Sequence, residues 1–281
     1  MNTLTPCSFL SKLRKKEAKS IFELLDLVIK RKISSINDLK KRGKNSLDWS
    51  GEEIINAFLQ ALKLDLIDYF SYKKFGLIQL TQRGYYLLKL RDNLENSDLC
   101  RYIFAEPGVI LLKDEKLFYH PLIKIYHDYI LQVWQPIPLP IALYLPCSKH
   151  KPYSKSFMQL KIRRMLYKWG LIDYVQIYIV SEPLVLVPYQ LEKLFPAAHY
   201  DYPPERVSND EIEIYIKMLR EILKKLRQAH KVHIYSLPRF HKAIFENAAS
   251  SDGDYIYVPY NVYYIPRLAR TLSSFKEKYS Q

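Results

Sequence analysis

Glycine is scarce in this sequence, with 7 residues in 281. Low glycine beside abundant Lys, Ile and Tyr suits a thermophile. Cysteine is scarcer still, and Cys7, Cys100 and Cys147 are odd in number and widely spaced. That pattern argues against a disulfide framework and suits a reducing cytosol. No CxxC is present, so no cysteine-based zinc site is expected. The histidines do not group: His230 and His233 are three apart but straddle an expected helix end and strand start. Neither a metal nor a cofactor is expected. The N-terminus lacks an apolar signal segment, and Lys12 to Lys16 is basic. No apolar run reaches the roughly 20 residues of a membrane span. The expectation is a cytoplasmic protein with no membrane partner.

Positive charge is plentiful. The formal net charge is +14, with a pI near 9.4. Such a balance favours polyanion partners, nucleic acid above all. The 281 residues, 48% of them apolar, can build two cores.

Residues 1 to 95 read as a first domain. Ile21, Leu24, Leu25, Val28 and Ile29 recur at helical spacing. Ser35 opens a second short helix with Asp38 three residues on. Ser50 and Glu53 form a capping box for a third, which buries Ile54, Ile55, Phe58, Leu59 and Leu62. Leu66 to Phe70, a basic turn at Lys73-Lys74-Phe75-Gly76, and Leu77 to Leu80 read as a β-hairpin. Thr81-Gln82-Arg83-Gly84 opens a closing helix. This order resembles a winged helix-turn-helix, a family that implies nucleic-acid binding. Lys40, Lys41, Arg42, Lys44, Lys73 and Lys74 are the candidate phosphate contacts. Glu52 and Glu53 open the third helix and would repel phosphates, so docking of a protein partner is the alternative. Residues 96 to 118 read as a connector, with a strand at Val109 to Leu112.

Residues 119 to 281 alternate strands with helices. Strands are expected at Ile141 to Leu145, Tyr174 to Val180, Val232 to Tyr235 and Tyr255 to Val258. Helices are expected at Ile123 to Val133, Ser156 to Trp169, Asn209 to Gln228, Arg239 to Asn247 and Pro266 to Tyr279. The alternation predicts a layered α/β domain with a largely parallel sheet. Three segments follow strands: Pro146 to Ser156, Ser181 to Pro188, and Ser236 to His241. Ligands of open parallel sheets bind at the carboxyl ends of strands, so these segments should edge one cleft. The first is basic, with Lys149, Lys151 and Lys155 before a helix N-terminus that favours an anion. Cys147 is a candidate nucleophile, because cations and a helix N-terminus are surroundings in which cysteines react. Lys151 is a candidate phosphate ligand or amine nucleophile. Tyr153 is a candidate stacking ring, Asp201 a candidate general acid or base, and His199 and His241 candidate pocket residues.

Pro146-Cys147, then Lys151-Pro152-Tyr153 after three residues, then Ser156, resembles the signature of archaeosine synthase. His120-Pro121 precedes it as in that family. Ser181, Pro183, Val187-Pro188, Leu191-Glu192 and the run Pro196-Ala197-Ala198-His199-Tyr200-Asp201 follow in the family's order. The resemblance covers about residues 119 to 247. It implies lysine transfer to a cyano-deazaguanine base in tRNA, with Ser156, Ser181, Pro183 and Tyr200 among the substrate-binding residues. The chain departs from the family at Gln159, where His is usual, and at Val185, Tyr189 and Gln190, where Gly, Arg and Glu are common. The resemblance does not extend to the family's transglycosylase-like and PUA domains, and a winged helix is expected instead. Lys151-Pro152-Tyr153 is also similar to the Asp-Pro-Tyr loop of uracil-DNA glycosylases, with Lys in place of the water-activating Asp. A catalytically inactive DNA-binding or regulatory protein, and a glycosylase-like base reader, are the alternatives.

Overall fold

The computed structural model describes residues 15–30, 33, 35–89, 91, 103–108, 116–249, 254–261 and 263–279. Cys7, Cys100 and the strand expected at Val109 to Leu112 lie outside the described residues. The chain divides into two compact units. One holds Met1–Glu106, Asp128–Gln135 and Leu194–Pro196; the other holds Pro107–His127, Pro136–Lys193 and Ala197–Gln281.

In the first unit, α1 (Lys15–Lys30), α2 (Ile36–Leu47) and α3 (Gly51–Lys63) form as their spacing and caps dictate. Ser35 Oγ accepts the Asp38 N–H at 3.2 Å. Ser50 and Glu53 close the capping box reciprocally. Ile21, Leu24, Leu25, Ile54 and Phe58 are buried, as their helical phase requires, whereas Ile55 and Leu62 are half-buried and Leu59, expected inward, is 55% exposed.

The segment expected as a basic hairpin is different. A single antiparallel bridge joins Ile67 and Leu80. Between them the chain forms a short helix, α4 (Tyr69–Phe75). Asp68 decides this. Its carboxylate, 4% exposed, accepts the Phe70 and Ser71 N–H groups at 3.0 and 3.2 Å. It also accepts the Ser71 hydroxyl at 2.6 Å and the Gln79 side-chain amide at 3.3 Å. Gly76 ends the helix in the left-handed region, at φ 67. An aspartate able to cap outweighs a β-propensity that a bare hairpin could not satisfy. Lys73 and Lys74 are therefore exposed on a helix and not at a hairpin tip. Asp68→Ala is expected to lower the stability of this unit by about 2 kcal/mol, the scale of lost hydrogen bonds to a charged group. A urea midpoint equal to the parent's would contradict it.

Helix α5 (Gln82–Lys89) closes the segment. Tyr129, in the π-helical turn Tyr129–Val133, donates to the Leu80 carbonyl at 2.9 Å.

The second unit holds nearly all of α6 (Pro121–Asp128) and is built on a five-stranded sheet of order β3-β2-β1-β4-β5. The strands are β1 (Ile141–Pro146), β2 (Val175–Ser181), β3 (Val185–Pro188), β4 (Val232–Tyr235) and β5 (Tyr255–Tyr257). Between them lie α7 (Phe157–Lys168), α8 (Asn209–Ala229) and α9 (Arg239–Ala249), and α10 (Tyr264–Tyr279) follows. The pairs β1–β2, β1–β4 and β4–β5 are parallel. Strands β1 to β4 are buried along their whole length, which explains their near-continuous apolar sequence. Strand β3 falls in a segment expected to be loop; it pairs antiparallel with β2 in the register Ser181↔Val185 to Tyr178↔Pro188.

His230 and His233 belong to the core. His230 uses both ring nitrogens, on the Tyr178 hydroxyl at 2.7 Å and the Leu139 carbonyl at 2.6 Å. His233 Nδ1 meets the Tyr144 hydroxyl at 2.9 Å. Burial pushes both imidazoles down to about 4, so they serve as neutral hydrogen-bonding partners. Glu211, wholly buried on α8, accepts the Phe118 N–H at 3.2 Å and the Tyr202 hydroxyl at 2.7 Å. No helix among the described residues is long and apolar enough to cross a membrane.

Candidate functional site

Strand β1 lies between β2 and β4, so the chain leaves β1 toward one neighbour and returns to the other side. Such a switch point opens a crevice at the carboxyl ends of the strands. All three strand-end segments meet there. Cys147 follows β1, Glu182 follows β2, and His241 lies in the first turn of α9 after β4.

Cys147 Sγ stands 3.7 Å from Glu182 Oε1 and 3.8 Å from His241 Nε2. His241 Nε2 is 2.7 Å from Glu182 Oε2. Glu182 is 1% and His241 4% exposed, while Cys147 is half-buried. Burial acts to lower the His241 imidazolium. Its hydrogen bonds to Cys147 and Glu182, and their negative charge, outweigh burial and push it up to about 10. Glu182 thus sits between the Cys147 sulfur and the His241 ring.

These three donors are also a set that a soft divalent cation could use, with all ligand atoms within 4.8 Å of one another. The spacing argues for an ion pair instead. Two ligands of one tetrahedral zinc sit about 3.4 Å apart, from bonds of 2.0–2.2 Å. The 2.7 Å between His241 and Glu182 is a hydrogen-bond distance.

Lys151 belongs to the same cluster. Its ammonium lies 4.2 Å from the centre of the Tyr200 ring. Burial pulls it below the ordinary lysine value, against Cys147, Asp201 and Glu182, which raise it. Asp201 is half-buried. Tyr153 and Tyr200 are buried, and their hydroxyls meet at 2.6 Å. Ser181 Oγ accepts from Tyr153 at 3.2 Å and also bonds the Tyr200 hydroxyl. Tyr153 therefore packs, and a base has no free face of it to stack on. Glu192, 2% exposed, anchors the loop by accepting the Ser154 N–H at 2.6 Å.

The remaining expected residues are placed as follows. Ser156 is the N-cap residue of α7, buried, with no side-chain cap bond. The Pro183 carbonyl is held by His127 Nε2 at 2.8 Å, which makes it a structural contact. His199 is wholly buried. Lys149 and Lys155 are exposed, as are Lys40, Lys41, Arg42 and Lys44 on α2. Arg42 is paired with Asp38 at 2.6 Å. His241 Nδ1, Ser236 Oγ and Tyr215 Oη are among the buried polar atoms that have no hydrogen-bond partner among the described residues.

Residues 123–262 match the family model of a domain of unknown function, DUF5591. Over 101 residues the chain is 34% identical to archaeosine synthase subunit alpha of Thermoplasma acidophilum, covering 36% of this chain and 19% of that one. The chain is related to archaeosine synthase. Over 72 residues it is 40% identical to the same subunit of Methanosarcina acetivorans, covering 26% of this chain and 11% of that one. A solved structure of a protein of unknown function, AF0587, aligns with a TM-score of 0.39 and 18% identity over 52% of this chain and 49% of that one.

Measured against the archaeosine synthase signature, the departures have visible settings. Gln159, in place of His, donates its amide to the Pro146 carbonyl at 3.2 Å, just before Cys147. Val185, in place of Gly, adopts φ 68, where a β-branched residue is strained. Tyr189 faces Arg163, whose guanidinium lies 5.1 Å from the ring centre, and Gln190 accepts from Gln176 at 2.8 Å.

Sequence reasoning did not single out Glu182. The available signal was a lone carboxylate in the apolar run from Ile177 to Pro188, directly at a strand end.

Proposed function

We propose that the α/β unit joins an amine, that of lysine, to the nitrile of a 7-deazaguanine base carried by tRNA. The observation that carries this is the convergence of Cys147, Glu182, His241 and Lys151 at the switch point. The relatives' name and the signature residues support it.

Sγ adds to the nitrile carbon, forming a C–S bond and turning the triple bond into a thioimidate C=N. The thiol proton leaves toward Glu182 Oε1 and ends on the nitrile nitrogen. The amine then attacks the same carbon, the C–S bond breaks, the thiol is restored and an amidine remains. Atoms and electrons balance with no oxidant or reductant. Lys151 holds the substrate's negative charge, and its lowered value also suits passing protons between amine and base. His241 Nε2 faces Glu182 at 2.7 Å and fixes the carboxyl group beside the sulfur. The unpartnered His241 Nδ1, Ser236 Oγ and Tyr215 Oη are donors available to the substrate.

The test is mass spectrometry of nucleosides from nitrile-bearing tRNA incubated with the protein and lysine. The expected product is heavier than the nitrile base by one lysine. Unchanged tRNA that nonetheless binds the protein would favour the second reading, a binding protein without turnover. The departures at Gln159, Val185, Tyr189 and Gln190 are the observation behind that reading. Release of a free base would point to glycosylase chemistry.

A further inference from the structure

Helix α7 turns an unusual face outward. Phe157 is 65%, Leu160 40% and Tyr167 58% exposed, and Trp169 just beyond is 47% exposed. Lys161, Arg164 and Lys168 share that face and are exposed. Positions 157, 160, 161, 164, 167 and 168 form one stripe at helical spacing. Ile162, Met165 and Leu166 are buried on the opposite side, so burial in the unit's own core does not account for the outer rings.

The charge is one-sided. Between Asp128 and Asp173 the sequence holds no carboxylate, whereas residues 148 to 172 hold seven lysines and arginines. Lys161 Nζ lies 4.3 Å from the centre of the Phe157 ring, and the Arg163 guanidinium 5.9 Å from that of Tyr167. Exposed rings with cations set against them are the composition of a surface that stacks unpaired bases and tracks phosphates. An acidic protein would use the cations and leave the rings in water. An apolar one would bury the cations unpaired.

The stripe begins one residue after Ser156, at the end of the loop that carries Cys147 and Lys151. From Phe157 to Tyr167 it rises about 15 Å, the length of about four bases stacked at 3.4 Å.

We infer that the outward face of α7 is a stacking and phosphate platform for an unpaired stretch of RNA that leads into the Cys147 site. This rests on the reading that the substrate base is carried by RNA, and it adds where the strand lies and which groups hold it.

The probes are a fluorescein-labelled 12-nucleotide oligouridylate and a tRNA transcript, followed by anisotropy on the full chain. The double variant Phe157→Ala, Tyr167→Ala should bind the oligonucleotide at least about tenfold more weakly. The triple variant Lys161→Gln, Arg164→Gln, Lys168→Gln should reduce the slope of log affinity against log salt by about 2, at about 0.7 per phosphate contact on a single strand. Melting temperatures equal to the parent's establish that all variants are folded, since every change is on the surface. Parental affinity and salt slope in these variants would overturn the platform. So would a parent that dimerises in sedimentation and a ring variant that does not, because the face would then be a protein interface. The two proposals fail separately. Modification of tRNA that the face variants leave untouched removes the platform and keeps the chemistry. Loss of oligonucleotide binding in those variants, with no modified nucleoside from the parent, removes the chemistry and keeps the platform.

Discussion

Cys147→Ala should abolish formation of the lysine adduct, by a factor on the order of 10³ or more, while leaving tRNA affinity within about twofold. The loss is large because no neighbouring group replaces the sulfur. Glu182 and His241 are fixed 3.7 and 3.8 Å from Sγ. Both move or hold protons, and neither can carry a transferable thioimidate. Binding should survive because the exposed lysines and the α7 face are separate from Sγ. Lys151→Ala should also remove turnover. Its amine is set 4.2 Å from the Tyr200 ring centre, within the field of Cys147, Asp201 and Glu182. The decisive measurement is intact-protein mass after mixing with nitrile-bearing substrate and no amine. The parent should gain the mass of the substrate on Cys147, and Cys147→Ala should gain none. If Cys147→Ala turns over at the parental rate, the nucleophile has been misassigned.

How much of this was legible in the sequence differs between the two units for physical reasons. The α/β unit wrote its sheet plainly. Ile141 to Leu145 and Val232 to Tyr235 are apolar without interruption because both faces are covered. The meeting of three strand-end segments followed from chain order alone. Strand β3 was hidden because its four residues directly follow a turn and show no alternation. Glu182 was hidden because a carboxylate between Ser181 and Pro183 reads as a turn residue until the sheet places it against His241. The helical unit misled at Tyr69 to Phe75. Aromatic residues there speak for a strand, and the caps that Asp68 gives Phe70 and Ser71, with the bond it accepts from Gln79, show why the helix wins. The α7 face was legible as charge yet not as a surface. Its rings look like core until burial assigns Ile162 and Leu166 inward and Phe157 and Tyr167 outward.

The Glu182–His241 pair carries the second large expectation, and it separates two proton arrangements of the same three atoms. Glu182→Gln leaves the imidazole buried without its counter-charge, a loss of about 3–5 kcal/mol for one member of a buried pair. In the parent, the His241 value is raised from about 6.5 in the unfolded chain to about 10 in the fold. The folded state therefore binds the extra proton. The stability this contributes is fully present below about pH 6.5 and is lost as pH rises through 10. Urea unfolding between pH 6 and 10 should show parental stability falling across that window. In Glu182→Gln the fall should vanish or reverse, because burial alone lowers a histidine. Turnover by the variant should also drop, since the group that Sγ faces at 3.7 Å becomes an amide, which cannot take up the thiol proton. A parental profile that is flat from pH 6 to 10, and superimposable on the variant's, would mean that His241 is neutral. Proton transfer from Sγ would then have to be reassigned to Lys151.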